Sequence, residues 1–170
     1  KSTTLSMIAG VEKPDDGTIL YEGKNVFSII HEYRKQLGYV PQEAALYEEL
    51  SGRDNLLYWG KMYGLRKEVL KSQLERVCEF VGLTAEDLRR KVKEYSGGMR
   101  QRINVGAAVL HKPKLLLLDE PTAGMDEQSR VRLGEMITEL CKKGTAILYT
   151  GHYHDELEEL CNRVVDLEQR

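Results

Sequence analysis

No stretch of this sequence approaches the ~18–20 consecutive apolar residues that carry a helix across a bilayer. Work at a membrane would therefore need docking on a partner. No signal-peptide pattern opens the chain. Cysteine is scarce: Cys78, Cys141 and Cys161 are odd in number, far apart, and outside any C-x-x-C pair. They read as buried, reduced thiols of a cytosolic protein. Neither sign of charge dominates, because 25 basic and 27 acidic residues leave a formal net charge of −2. That balance offers no footprint for nucleic acid and no polybasic membrane anchor. Repeats of roughly 20–50 residues and low-complexity segments are absent as well.

What is present suits one folded unit. The chain has 170 residues, 41% of them hydrophobic and 31% charged, enough for one compact domain and too few for two ordinary ones. Residues 2–9 read as a short helix closed by Gly10, "GTILYEGKNV" (17–26) as a hairpin, and "LGYVPQ" (37–42) as a strand stopped by Pro41. The texture then changes. Ser51 with Asp54, and Thr84 with Asp87, form capping-box patterns. Leu70, Leu74, Val77, Cys78 and Val81 recur at helical spacing. The segment from ~50 to 95 is therefore expected to be helical.

Beyond it, "KLLLLDEP" (114–121) is a continuous apolar run, as suits a strand buried on both faces of a parallel sheet. Leu133, Met136, Ile137 and Leu140 mark an amphipathic helix. "TAILYTGH" (145–152) predicts another buried strand, "HDELEELC" a helix, and "RVVDL" (163–167) one more strand. Strand–helix alternation at both ends predicts an α/β fold with an inserted helical segment.

Three constellations carry chemistry. Lys1-Ser2-Thr3 before an apolar helix is how a phosphate-binding loop ends: the Lys reaches β- and γ-phosphates and a hydroxyl binds Mg²⁺. The glycine-rich part of such a loop is not in the sequence ahead of Lys1. "LLLLDEP" delivers Asp119 to the carboxyl edge of a parallel sheet, where α/β proteins bind ligands. Asp119 suits a carboxylate that holds Mg²⁺ through water, and Glu120 beside it could take a hydrogen bond from an attacking water. "YSGGMRQR" (95–102) places Ser96 as a helix N-cap, with Gly97 and Gly98 allowing close approach of a phosphate. Gln42 and His152 each follow a strand.

In this order the motifs resemble the nucleotide-binding domain of ATP-binding cassette (ABC) proteins along the whole chain. "KST" resembles the end of Walker A, "YVPQ" the Q-loop, and "YSGGM" the signature. "LLLLDEP" resembles Walker B, "AGMD" the D-loop, and "TGHY" the H-loop. "PQEAALYEELSGRDNL" and "ILYTGHYHDELEELCNRV" look like the bacterial and archaeal export branch, which includes drug and polysaccharide efflux ATPases. Tyr95 and Met99 stand where the family's LSGGQ has Leu and Gln, and Gly124-Met125 precede Asp126 where Leu is usual.

The resemblance implies a P-loop NTPase (RecA-like) core, mainly parallel in its sheet, with an inserted helical subdomain. Residues 1–49 and 102–170 would form the core and residues 50–101, roughly, the subdomain. The first strands and most of the phosphate loop are expected to be missing, as if the chain were truncated at the end of Walker A. The implied ligands are ATP and Mg²⁺. Lys1 would neutralise β/γ-phosphate charge and Thr3 would touch the α/β-phosphates. Ser2, Gln42 and Asp119 would serve Mg²⁺. Glu120 would be the general base, Gln42 would reach the attacking water, and His152 would contact the γ-phosphate. Ser96, Gly97, Gly98 and Asp126 would serve a nucleotide shared with a second nucleotide-binding domain, paired head to tail.

The implied partner is a transmembrane permease, with the ATPase peripheral on the cytoplasmic face of the membrane. Two other readings remain open on the sequence: a non-transporter ABC ATPase of the DNA-repair or translation type, and a fragment inactive on its own.

Overall fold

The structure is a computed structural model that describes residues 1–151 and 154–166. Its first element is α1 (Ser2–Ile8), which buries Leu5 and stops at Gly10, whose φ of 69° suits glycine. Strands β1 (Leu20–Tyr21) and β2 (Lys24–Asn25) pair antiparallel through Glu22 and Gly23, both at positive φ, as a tight hairpin requires. Then come α2 (Ile30–Arg34), β3 (Leu37–Val40), α3 (Gly52–Met62), α4 (Lys67–Phe80) and α5 (Gly97–Val109). The last elements are β4 (Leu115–Asp119), α6 (Glu127–Lys142), β5 (Ala146–Thr150) and α7 (His154–Leu160).

Strands β3, β4 and β5 form one parallel sheet with β4 in the middle. Leu116, Leu117 and Leu118 are fully buried. Alternate side chains of β4 serve opposite faces. Leu117 packs with Leu5, Val26, Tyr33 and Leu37. Leu116 and Leu118 join the larger core with Val40, Ile103, Leu110, Leu133 and Ile137. Each such leucine contributes about 1.5–3 kcal/mol by leaving water, which is why an unbroken apolar run becomes the central strand.

Helix α5 joins the two parts of the chain. Its body is buried from Ile103 to Leu110. A Cβ on Gly106 would meet Val81 at 2.6 Å, and one on Gly38 would stand 2.6 Å from the Ala108 carbonyl oxygen. Glycine at both places lets α5 lie against α4 on one side and β3 on the other. The reciprocal capping box forms at Thr84 and Asp87, while at Ser51 the Asp54 carboxylate bonds the serine hydroxyl instead of its N–H. Ser51 accepts from the Asp54 N–H at 3.0 Å and starts α3, whereas the Thr84–Asp87 pair is followed only by a single 3₁₀ turn, Asp87–Arg89.

Three expectations need correction. Strand β5 is covered on one face only: Ile147 and Tyr149 pack against the larger core, whereas Ala146 and Leu148 (41% exposed) on the other face have no cover among the described residues. Of the strand expected over 163–167, residues 163–166 form none and Leu167 lies outside the described residues. Val164 and Val165 are exposed, and an apolar run with no neighbouring strand to bond among the described residues gains nothing by extending. The thiols are free but not buried: Cys141 is exposed on α6, and Cys78 and Cys161 are half-buried. Cys141 sits one residue past buried Leu140, where the helix face has already turned to solvent.

Candidate functional site

All three strands of a parallel sheet end on the same edge, and the residues that follow them meet there. Ser2, in the first turn of α1, donates its hydroxyl to Asp119 Oδ1 at 3.2 Å. Asp119 ends β4 and is almost completely buried. Lys1 Nζ lies 3.3 Å from Glu120 Oε1 and donates to the Gly151 carbonyl at 3.2 Å. Gln42, two residues past β3, donates from Nε2 to Glu120 Oε2 at 3.4 Å. Glu120 therefore holds a cation on one oxygen and an amide on the other. Its own φ is 47°, an unusual region for a residue with a Cβ. That turn takes the carboxylate out of the strand direction. Thr3 stands in the same turn of α1 as Ser2 and is exposed.

Tyr39 of β3 feels this edge: burial raises its hydroxyl pKa, the Asp119 charge raises it further, and a hydrogen bond with Ser6 opposes both. Thr150, which the sequence did not single out, bonds both carboxylate-bearing residues. Its hydroxyl donates to Asp119 Oδ1 at 2.8 Å and accepts the Glu120 N–H at 3.1 Å. A polar residue ending an apolar strand was the signal available. His152 lies outside the described residues.

The other nominated residues form a second group. Ser96 caps α5 by accepting the Met99 N–H at 3.2 Å. Gly97 is exposed, while Gly98 is buried against Ser129. Ser129 in turn donates both its N–H (2.9 Å) and its hydroxyl (2.8 Å) to Asp126, the N-cap of α6. Those bonds, the N–H first, hold the Asp126 pKa below the ordinary carboxylate range. Gly98 and Asp126 are thus tied through Ser129, whose position three residues after an N-cap Asp was the available sign. Tyr95 donates its hydroxyl to the Asp87 carbonyl at 2.6 Å and lies against Gly52, where any Cβ would fall 2.2 Å from that hydroxyl. A tyrosine fits here because position 52 has no side chain.

The donor set suits the implied ligands. Hydroxyl, amide and carboxylate oxygens at Ser2, Gln42 and Asp119 are the hard ligands Mg²⁺ prefers, and Lys1 supplies the cation for phosphate.

The fold and the family are both found among known proteins. A solved structure described as the ATP-binding subunit of an ABC transporter superposes with a TM-score of 0.80 at 31% identity, covering 95% of this chain and 67% of the other. The fold is the P-loop NTPase core. A family model described as ABC transporter matches residues 1–123. Among curated relatives, the linearmycin resistance ATP-binding protein LnrL of Bacillus subtilis is 45% identical over 99% of this chain and 54% of its own length. The Nod factor export ATP-binding protein I of Burkholderia lata is 37% identical over 99% of this chain and 55% of its own. The chain belongs to the ABC transporter family and spans about half the length of these curated relatives.

Proposed function

We propose that this chain supplies the ATP-binding and ATP-hydrolysing site of an ABC export system, pairing head to tail with a second such domain on a membrane permease at its cytoplasmic face. The observation that carries the reading is the cluster Lys1, Ser2, Gln42, Asp119 and Glu120 at one sheet edge. Export is favoured by the relatives, whose names specify linearmycin resistance and Nod factor export. Residues 1–49 and 102–170 serve as the α/β core and residues 50–101, roughly, as the helical subdomain.

Phosphoryl transfer asks mainly for positioning and charge neutralisation. Lys1 binds β/γ-phosphate charge and Thr3 the α/β-phosphates. Ser2, Gln42 and Asp119 would hold Mg²⁺, which would neutralise charge developing on the phosphates. Glu120 is the base that accepts a proton from the attacking water. Gln42 orients that water, and His152 completes the contact with the γ-phosphate. Ser96, Gly97, Gly98 and Asp126 serve the nucleotide held by the paired domain.

The test is Glu120→Gln in the full-length protein with its permease. ATP binding should persist while steady-state hydrolysis falls by about 10²-fold or more, the scale of general-base catalysis. Turnover like that of the wild type would remove Glu120 from the role.

A further inference from the structure

We infer that Thr150 is a positioning residue of the hydrolytic site, fixing both carboxylate-bearing residues through a single hydroxyl. The inference rests on the hydrolytic reading of Asp119 and Glu120 given above.

Thr150 ends β5 in register with Asp119, which ends β4. Paired residues of neighbouring strands place their side chains on the same face, so a hydroxyl at 150 reaches a carboxylate at 119. The contact is made at 2.8 Å to Oδ1, with a longer 3.5 Å approach to the Leu118 carbonyl. A hydroxyl carries one proton and two lone pairs. Having donated to Asp119, Oγ1 accepts, and the group it accepts from is the Glu120 N–H at 3.1 Å. The same N–H reaches the Thr150 carbonyl at 3.1 Å.

The two bonds do different things. Ser2 and Thr150 converge on one oxygen of Asp119, Oδ1, so together they set the rotation of a buried carboxylate. The bond from Glu120 anchors a residue whose φ of 47° is unfavourable for an L-amino acid. That backbone turn is what directs the Glu120 side chain to Lys1 and Gln42. The strand end is also held from its other face. Tyr149 donates to Glu156 of α7 at 2.9 Å and contacts Thr122 at 3.1 Å, and Thr122 donates to Glu156 at 3.0 Å. Thr150 is thus a fixed support rather than a loose neighbour.

The experiment compares Thr150→Val, Thr150→Ala and Thr150→Ser in the full-length protein with its permease. The readouts are kcat, KM for ATP, the Mg²⁺ concentration giving half-maximal rate, and the melting temperature. Valine keeps the branched shape and strand propensity and removes only the hydroxyl. Alanine removes it without branching, and serine retains it.

We expect Thr150→Val and Thr150→Ala to lower kcat about tenfold, the effect of one hydrogen bond to a charged group. Half-saturation by Mg²⁺ should rise several-fold, with KM for ATP nearly unchanged. Thr150→Ser should stay within about twofold of wild type. Unimpaired kcat and Mg²⁺ dependence in both hydroxyl-free variants would overturn the assignment while leaving the hydrolytic reading intact. A Thr150→Ser protein as impaired as Thr150→Val would overturn it too, because shape rather than the hydroxyl would then decide. Absence of Mg²⁺-dependent hydrolysis in the wild-type protein would overturn both readings.

Discussion

Gly98 stands so close to Ser129 that a Cβ there would lie 2.2 Å from the serine Oγ and 2.6 Å from its Cβ. Gly97, one residue earlier, has no atom of the described residues within 4 Å of the same position. Adjacent glycines of one motif therefore have different reasons to be glycine. Gly98→Ala should destabilise the protein by about 1–3 kcal/mol, the cost of overpacking. Gly97→Ala should change stability by less than about 1 kcal/mol. Urea denaturation of both variants checks this, and equal losses would count against it. Ser129→Gly should recover part of the Gly98→Ala loss.

Asn55 is fully buried on α3 and holds the loop ahead of the helix. Its Oδ1 accepts the Tyr47 N–H at 2.8 Å, and its Nδ2 donates to the carbonyls of Tyr47 (2.9 Å) and Ser51 (3.0 Å). Asn55→Leu strands several backbone groups at once and should cost about 2–4 kcal/mol. Asn55→Asp can still accept but cannot donate, so it should also be destabilising. Thermal melts that leave Asn55→Asp at the wild-type midpoint would exclude the donor role.

His111 makes stability depend on pH. Its ring stacks on Tyr63 with centroids 3.9 Å apart, and Nε2 contacts the Leu37 carbonyl at 3.0 Å. Nδ1 is buried and has no hydrogen-bond partner among the described residues. Burial lowers the pKa, with the Leu37 bond acting the other way. The unfolded chain therefore takes up this proton first as pH falls. The contribution is complete above the ordinary histidine value of about 6.5 and is lost as pH drops from there through the lower folded pKa. The difference in unfolding free energy between wild type and His111→Phe should shrink across that window. A difference independent of pH would mean that His111 is not the group responsible.

Ser96 caps α5 from an exposed position beside Gly97. Ser96→Arg removes the cap, at about 1 kcal/mol, and fills the approach to the proposed shared nucleotide. Hydrolysis by the full-length protein should be blocked although the fold survives. An ATPase rate unchanged by this substitution would argue against the paired site.

Much of this was readable from residue order. The apolar run 115–118 suited a doubly covered strand, which it forms, and it put Asp119 at the sheet edge. The capping pairs at 51/54 and 84/87 were legible because their chemistry is local, although the length of the second helix was not. What escaped depends on contacts far apart in the chain. Thr150 matters because of its register with Asp119, and Ser129 because of the packing of Gly98, relations that periodicity does not encode. The error over β5 has the same origin: its apolar sequence suits burial, but its neighbours decide whether burial happens.

Strand β5 leaves a row of backbone donors and acceptors unpaired along its outer edge among the described residues, with Ala146 and Leu148 beside it. Such an edge is a template for any extended segment that meets it. An extended segment meeting β5 would add to the sheet by main-chain hydrogen bonds. A charged residue in place of Leu148, on the exposed face of that strand, is the kind of change that discourages such pairing.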